Sequence, residues 1–153
     1  MGETGEETNR AEFVTFTVGE QRFCIDIMSL REIRGWSPAT PLPDTPDYVL
    51  GVVNLRGTVL PIIDLAERFG LPGAEPNARS IIMITNVDGK LAGLLADSVS
   101  DIITIDPSEV QAAPNYKEDS RSMYVAGLVA RDDEMIGLVS LPDVVGHQAL
   151  VAA

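Results

Sequence analysis

Side chains that carry most enzyme chemistry are sparse in this sequence. It holds one histidine, His147, and one cysteine, Cys24. A hydrolytic nucleophile needs a base within hydrogen-bond reach, so neither a Cys/His nor a Ser/His site is expected. Cys24 lies in the alternating run Phe23-Cys24-Ile25-Asp26-Ile27, where successive side chains face opposite sides of a strand, and its expected role is that of a small packing residue. No paired Cys or His suits zinc, and the acids lack the spacing of a calcium loop. The expectation is therefore no metal, no cofactor and no catalytic residue. Asp64, Asp97 and Asp101 stand at expected strand ends and could converge as an acid/base pair. Each also has a structural role open to it: Asp64 as the cap of a helical turn, Asp97 and Asp101 at the corner after Leu94-Leu95-Ala96. The block Gly51-Val52-Val53-Asn54-Leu55-Arg56-Gly57 has too few glycines, wrongly spaced, for a phosphate cradle.

Two places carry more than folding requires. A turn at Asn54-Leu55-Arg56-Gly57 needs the glycine and one flexible polar residue, which leaves Arg56 over. A guanidinium held on a tight turn is a planar fork suited to a partner's carboxylate or carbonyl; an internal bridge to Glu32 or a nearby aspartate is the other role open to it. The run Leu30-Arg31-Glu32-Ile33-Arg34-Gly35-Trp36 alternates apolar residues with charges of both signs. That fits a strand with one buried and one partner-facing side, and equally an edge strand defended by charge.

The elements that position these residues read as strands. With 153 residues, 45% of them hydrophobic, the chain supports one ordinary domain, expected over residues 12–146 between an acidic disordered tail (residues 1–11) and a C-terminal tail (147–153). A net charge of −12, with 11 basic residues among 23 acids, argues against a nucleic-acid surface. No apolar stretch reaches the roughly 20 residues of a membrane span, and the acidic start is unlike a signal peptide. The single cysteine fits a reducing compartment, so a cytoplasmic setting is expected.

Phe13–Val18 and Phe23–Ile27 form one expected hairpin across Gly19-Glu20, and Ile81–Val87 with Leu91–Leu95 another across Asp88-Gly89. Helical signals are short: Asp64–Gly70, and single turns at Thr45-Pro46 and Asp106-Pro107. The chain also reads twice. Phe23-Cys24-Ile25 through Leu30-Arg31-Glu32-Ile33 matches Ala92-Gly93-Leu94 through Val99-Ser100-Asp101-Ile102, and Gly51 through Leu65 matches Gly127 through Leu141. The extra loop falls around Asn115–Arg121. Two such halves, roughly 12–80 and 81–146, are expected to curl into two small five-stranded β-barrels packed side by side, an all-β fold with short helical turns.

The run from Cys24 through Leu30-Arg31-Glu32-Ile33, Leu42-Pro43, Pro46, Gly51–Gly57 and Pro61–Leu65, together with Gly93–Ile102, resembles the CheW family of bacterial chemotaxis coupling proteins over about residues 12–146. The resemblance implies a single domain of paired barrels that joins two partners: the cytoplasmic tip of a methyl-accepting chemoreceptor, and the regulatory domain of a CheA-type histidine kinase. It implies a non-enzymatic adaptor recruited from the cytoplasm to membrane-associated receptor arrays, without inserting into the membrane or binding nucleic acid. By motif position Leu30, Glu32, Arg56, Val99 and Ile102 would meet the receptor, and Ala39, Thr40 and Leu42 the kinase. A parallel pathway for pili or development is the alternative setting. A carboxylate enzyme or small-ligand barrel using Asp64 and Asp97 is a remote one.

Overall fold

The computed structural model describes residues 10–72, 75–112 and 124–146. Its elements are β1 (Ala11–Val18), β2 (Gln21–Asp26), a 3₁₀ turn (Ile27–Ser29), β3 (Leu30–Gly35), β4 (Val49–Leu55), β5 (Thr58–Asp64), α1 (Leu65–Phe69), β6 (Ile81–Val87), β7 (Lys90–Ala96), β8 (Ser98–Ile105), a 3₁₀ turn (Pro107–Glu109), β9 (Val125–Arg131), β10 (Glu134–Val139) and α2 (Leu141–Val145). They form two five-stranded sheets, ordered β8-β1-β2-β10-β9 and β3-β6-β7-β5-β4, so the expected all-β class holds.

The expected division of the barrels near residue 80 does not hold. The first sheet takes β1 and β2 from the first repeat and β8, β9 and β10 from the second, and the other sheet takes the reverse. The repeats have exchanged strands, so each barrel is composite. The repeat itself is preserved to the residue. Val14 pairs with Ile25 as Met83 pairs with Leu94, the parallel pairs β2–β10 and β7–β5 share one register, and even the bulges recur, near Arg31 in β3 and opposite Thr15 in β8. The cause is non-local: a strand from either copy presents the same apolar pattern, so local sequence leaves open which copy it joins.

Period-two alternation divides the apolar residues among three cores. From β2, Phe23 and Ile25 enter a shared core between the sheets, with Phe16, Ile63, Met83, Leu94 and both helices. Cys24 turns the other way, into the interior of the first barrel beside Ile105, Val129 and Ile136. Leu60, Ile62, Ile82 and Ile84 fill the second barrel. Cys24 is fully buried, and burial pushes its thiol up to about 12. A thiol-reactive disulfide reagent at mildly alkaline pH is therefore expected to leave the folded chain unlabelled and to label it promptly in denaturant. Rapid labelling of the native protein would contradict this packing.

Local expectations fare unevenly. Asp64 caps α1, accepting from Ala66 N, and Gly70 ends it at φ 71°. The turn at Pro107–Glu109 carries a complete capping box. Thr45-Pro46 leads into a single hydrogen-bonded turn, Val49 N donating to Pro46 O at 3.0 Å, without a helix. Strand β1 already begins at Ala11, inside the expected tail, and Arg10 faces Asp106 at 3.5 Å. The expectations for residues 1–9, Asn115–Arg121, His147 and the C-terminal tail lie outside the described residues. Helix α2 is missing from the sequence reading, although Ser140-Leu141-Pro142-Asp143 has the Ser-x-x-Asp and early-proline signature of a helix start.

Candidate protein-interaction site

The turn joining β4 to β5 places Arg56 at φ 50° and Gly57 at φ 89°. Asn54 Oδ1 accepts from Gly57 N at 2.8 Å, just as Asn86 Oδ1 accepts from Gly89 N at 2.8 Å in the β6–β7 turn. There the left-handed position belongs to Asp88, and in the β9–β10 turn to Asp132. Short polar side chains tolerate this backbone, whereas a long one costs on the order of 1 kcal/mol. The fold thus does not ask for arginine at 56. Its side chain is 70% exposed and its guanidinium lies 3.2 Å from Glu32 on β3, while Arg34 meets the same carboxylate at 3.3 Å.

The hydrogen bond from Arg56 is the first cause holding the Glu32 carboxyl below the ordinary glutamate range, with Arg34 adding to it. A depressed folded pKa means that whatever the pairing contributes is present above the ordinary glutamate value and is lost as pH falls through the folded one. In a carboxyl-carbon NMR titration Glu32 should titrate below free glutamate, and Arg56→Ala should move its midpoint upward. An unmoved midpoint would detach the two residues.

Leu30 and Val99 occupy equivalent places in the two repeats, at the starts of β3 and β8, and both lie half-buried against the shared core. β3 and β8 are the outer strands of their sheets. Ile102 is 55% exposed and its repeat partner Ile33 46%, so both edges present an apolar side chain to solvent. The structure joins Glu32 to Arg56 and sets Leu30 and Val99 on one core, whereas Ile102 belongs to the opposite barrel from Arg56.

Of the other expected contact residues, Ala39 packs toward the second barrel's interior. Thr40 pairs with Val52 through both backbone bonds, at 2.8 and 2.9 Å. Leu42 is exposed. Beside this segment a hollow of about 360 Å³ is lined by Ser37, Thr40, Val53, Asn54 and Val59 among others. It therefore reaches the Arg56 turn through Asn54.

The three carboxylates are locally engaged. Besides capping α1, Asp64 is held above the ordinary aspartate range by burial, with backbone N–H groups of Glu67 and Ala66 pulling the other way and Asp97 adding to the rise. Asp97 accepts from Gly19 N at 2.7 Å. Asp101 lies within β8, rather than at a corner, and accepts from the Thr15 hydroxyl at 2.6 Å. Among the described residues, no group of three or more His, Cys, Asp or Glu side chains is placed to hold a metal ion.

The family described as CheW-like domain matches residues 12–149. The chain belongs to the CheW family. Chemotaxis protein CheW of Rhizobium meliloti (strain 1021) is 46% identical over 142 residues, covering 93% of this chain and 92% of that protein. The Klebsiella aerogenes CheW is 32% identical over 144 residues, covering 94% and 87%. In three dimensions the chain superposes on the scaffolding protein TtCheW from Thermoanaerobacter tengcongensis with a TM-score of 0.82 at 30% identity, covering 91% of this chain and 94% of that one. Sequence reading overlooked three apolar residues on the surface. Met28 (85% exposed), Ile33 and Val59 (56% exposed) are apolar, open to solvent and beside the predicted residues. Ile33 belongs to the same run as Leu30, and the alternation that marks a buried face also marks what lies opposite it; Met28 sits in the 3₁₀ turn just before that run.

Proposed function

We propose that this chain is a non-enzymatic adaptor that couples the cytoplasmic tips of chemoreceptors to the regulatory domain of a CheA-type histidine kinase. The observation that carries this reading is Arg56, a costly residue for its turn, exposed and braced by Glu32 beside an apolar edge. A helical receptor tip would bury apolar anchors along Leu30, Val99 and Ile102, while the Glu32–Arg56 pair fixes register by offering hydrogen bonds at the rim. The kinase would take the face around Ala39, Thr40 and Leu42, where Val59 and the adjoining hollow supply further apolar surface. Both partners would bind at once, the receptor along the β3 and β8 edges and the kinase on the Ala39–Leu42 segment, and signalling needs only contacts that differ between two receptor states. The adaptor would work in the cytoplasm and reach receptor arrays through these contacts; no helix of the described residues is long and apolar enough to cross a membrane.

A parallel pathway is the second setting, since a 28% identical relative over 131 residues is Protein FrzA of Myxococcus xanthus. The test is pairwise binding of the purified chain to a kinase regulatory domain and to a soluble receptor-tip fragment, followed by competition. Independent binding of both is expected. Mutual exclusion, or binding of neither, would overturn the reading.

A further inference from the structure

Arg68 holds a place that the internal repeat does not duplicate. Tyr48 directly precedes β4 and Tyr124 directly precedes β9, so the two tyrosines are repeat partners. Their carbonyls match too: Tyr48 O accepts from Asp64 N and Tyr124 O from Ser140 N, each at 2.8 Å. Between the two rings lies one cation, with Arg68 Cζ 3.8 Å from the Tyr48 centroid and 4.7 Å from that of Tyr124. A guanidinium over an aromatic face is attracted by the ring's negative centre, the more so when partly desolvated. Arg68 extends from α1, yet its Nε donates to Val144 O at 2.9 Å and its Nη2 to Asp143 O at 3.1 Å. Those carbonyls end α2, where no further helical turn supplies a donor. The corresponding residue of the second repeat is Val144, so one arginine serves both halves.

What this clasp constrains follows from topology. No strand of one sheet pairs with a strand of the other, and the chain passes between barrels at Ile27–Ser29 and at Asp97. Elsewhere the barrels meet mainly through apolar packing, which has little directionality. Arg68 adds planar stacking and two aimed hydrogen bonds. It does so where the starts of β4 and β9 meet the shared core, which Leu30 and Val99, at the starts of β3 and β8, also border.

We propose that Arg68 is a positioning residue: it fixes the angle between the two barrels, and through it the spacing of the β3 and β8 edges. Its consequence for receptor binding rests on the function proposed above; the geometry does not. The test is the spin-label distance between Ile33→Cys and Ile102→Cys in the full chain, with buried Cys24 left native. A sharp distance is expected in the parent, a shifted or broadened one in Arg68→Met, and an intermediate one in Arg68→Lys, which keeps the cation and loses the two-pronged bonding. The lysine variant also serves if the methionine variant fails to fold. Receptor-tip binding should fall with the change in distance, while binding of the kinase regulatory domain, confined to the second barrel, should not. Distances unchanged in both foldable variants would overturn the clasp. A changed distance with unchanged receptor binding would overturn its role in positioning.

Discussion

Replacing Gly51 by alanine is expected to lower the free energy of unfolding by about 3 kcal/mol, read by denaturant titration at unchanged slope. An added Cβ would lie 2.3 Å from Thr40 O and 2.6 Å from Thr40 C, on a backbone at φ +150°. Those are main-chain atoms held by the Thr40–Val52 bridge, so no side chain can swing aside and the segment carrying Ala39–Leu42 must move. Kinase binding should weaken together with stability. Gly127, its repeat partner, is the internal comparison: there a Cβ meets Val110 Cγ1 at 2.6 Å and Gln111 O at 3.1 Å. The closer contact is a side chain that can yield, and Gly127→Ala should cost less, about 1 to 2 kcal/mol. A Gly51→Ala protein as stable as the parent would show that the segment is not held against β4.

Arg56→Ala is expected to weaken binding of a receptor tip by roughly thirty-fold, about 2 kcal/mol, the range of an arginine hot spot. Stability should barely change, because the pair with Glu32 is exposed and such pairs contribute little. Arg56→Asn sharpens the distinction. Asparagine suits the left-handed turn better than arginine does, so this variant should be at least as stable as the parent and yet bind as poorly as Arg56→Ala. Normal receptor binding by the stable asparagine variant would remove Arg56 as an anchor. Unfolding of Arg56→Ala would return it to a structural role.

Much of this was legible along the chain because turns and alternation are local. Asp88-Gly89 announces its hairpin, Phe23-Cys24-Ile25 announces two faces, and Gly51 and Gly127 recur at the repeat interval. The surplus at Arg56 could be seen once the turn's needs were set out. What could not be read is what depends on distant partners. Strands β2 and β7 carry near-interchangeable patterns, so nothing local says that β2 will lie beside β10 rather than β5. Tyr48, Arg68 and Tyr124 are each unremarkable in sequence and meet only when the exchanged repeats dock. Ala39 turned inward for the same reason, since its surroundings come from β4 and the second barrel's core. The three aspartates that invited a chemical reading are instead a helix cap, a backbone acceptor and the partner of a buried threonine.

The coupling claim itself is tested most directly by co-sedimentation. Receptor-bearing membranes and the kinase are mixed with and without this chain, and the kinase in the membrane pellet is measured. The chain is expected to raise kinase recovery and to pellet together with the kinase, and Arg56→Asn to cut that gain sharply. Kinase recovery that is the same with and without the chain would contradict the coupling claim.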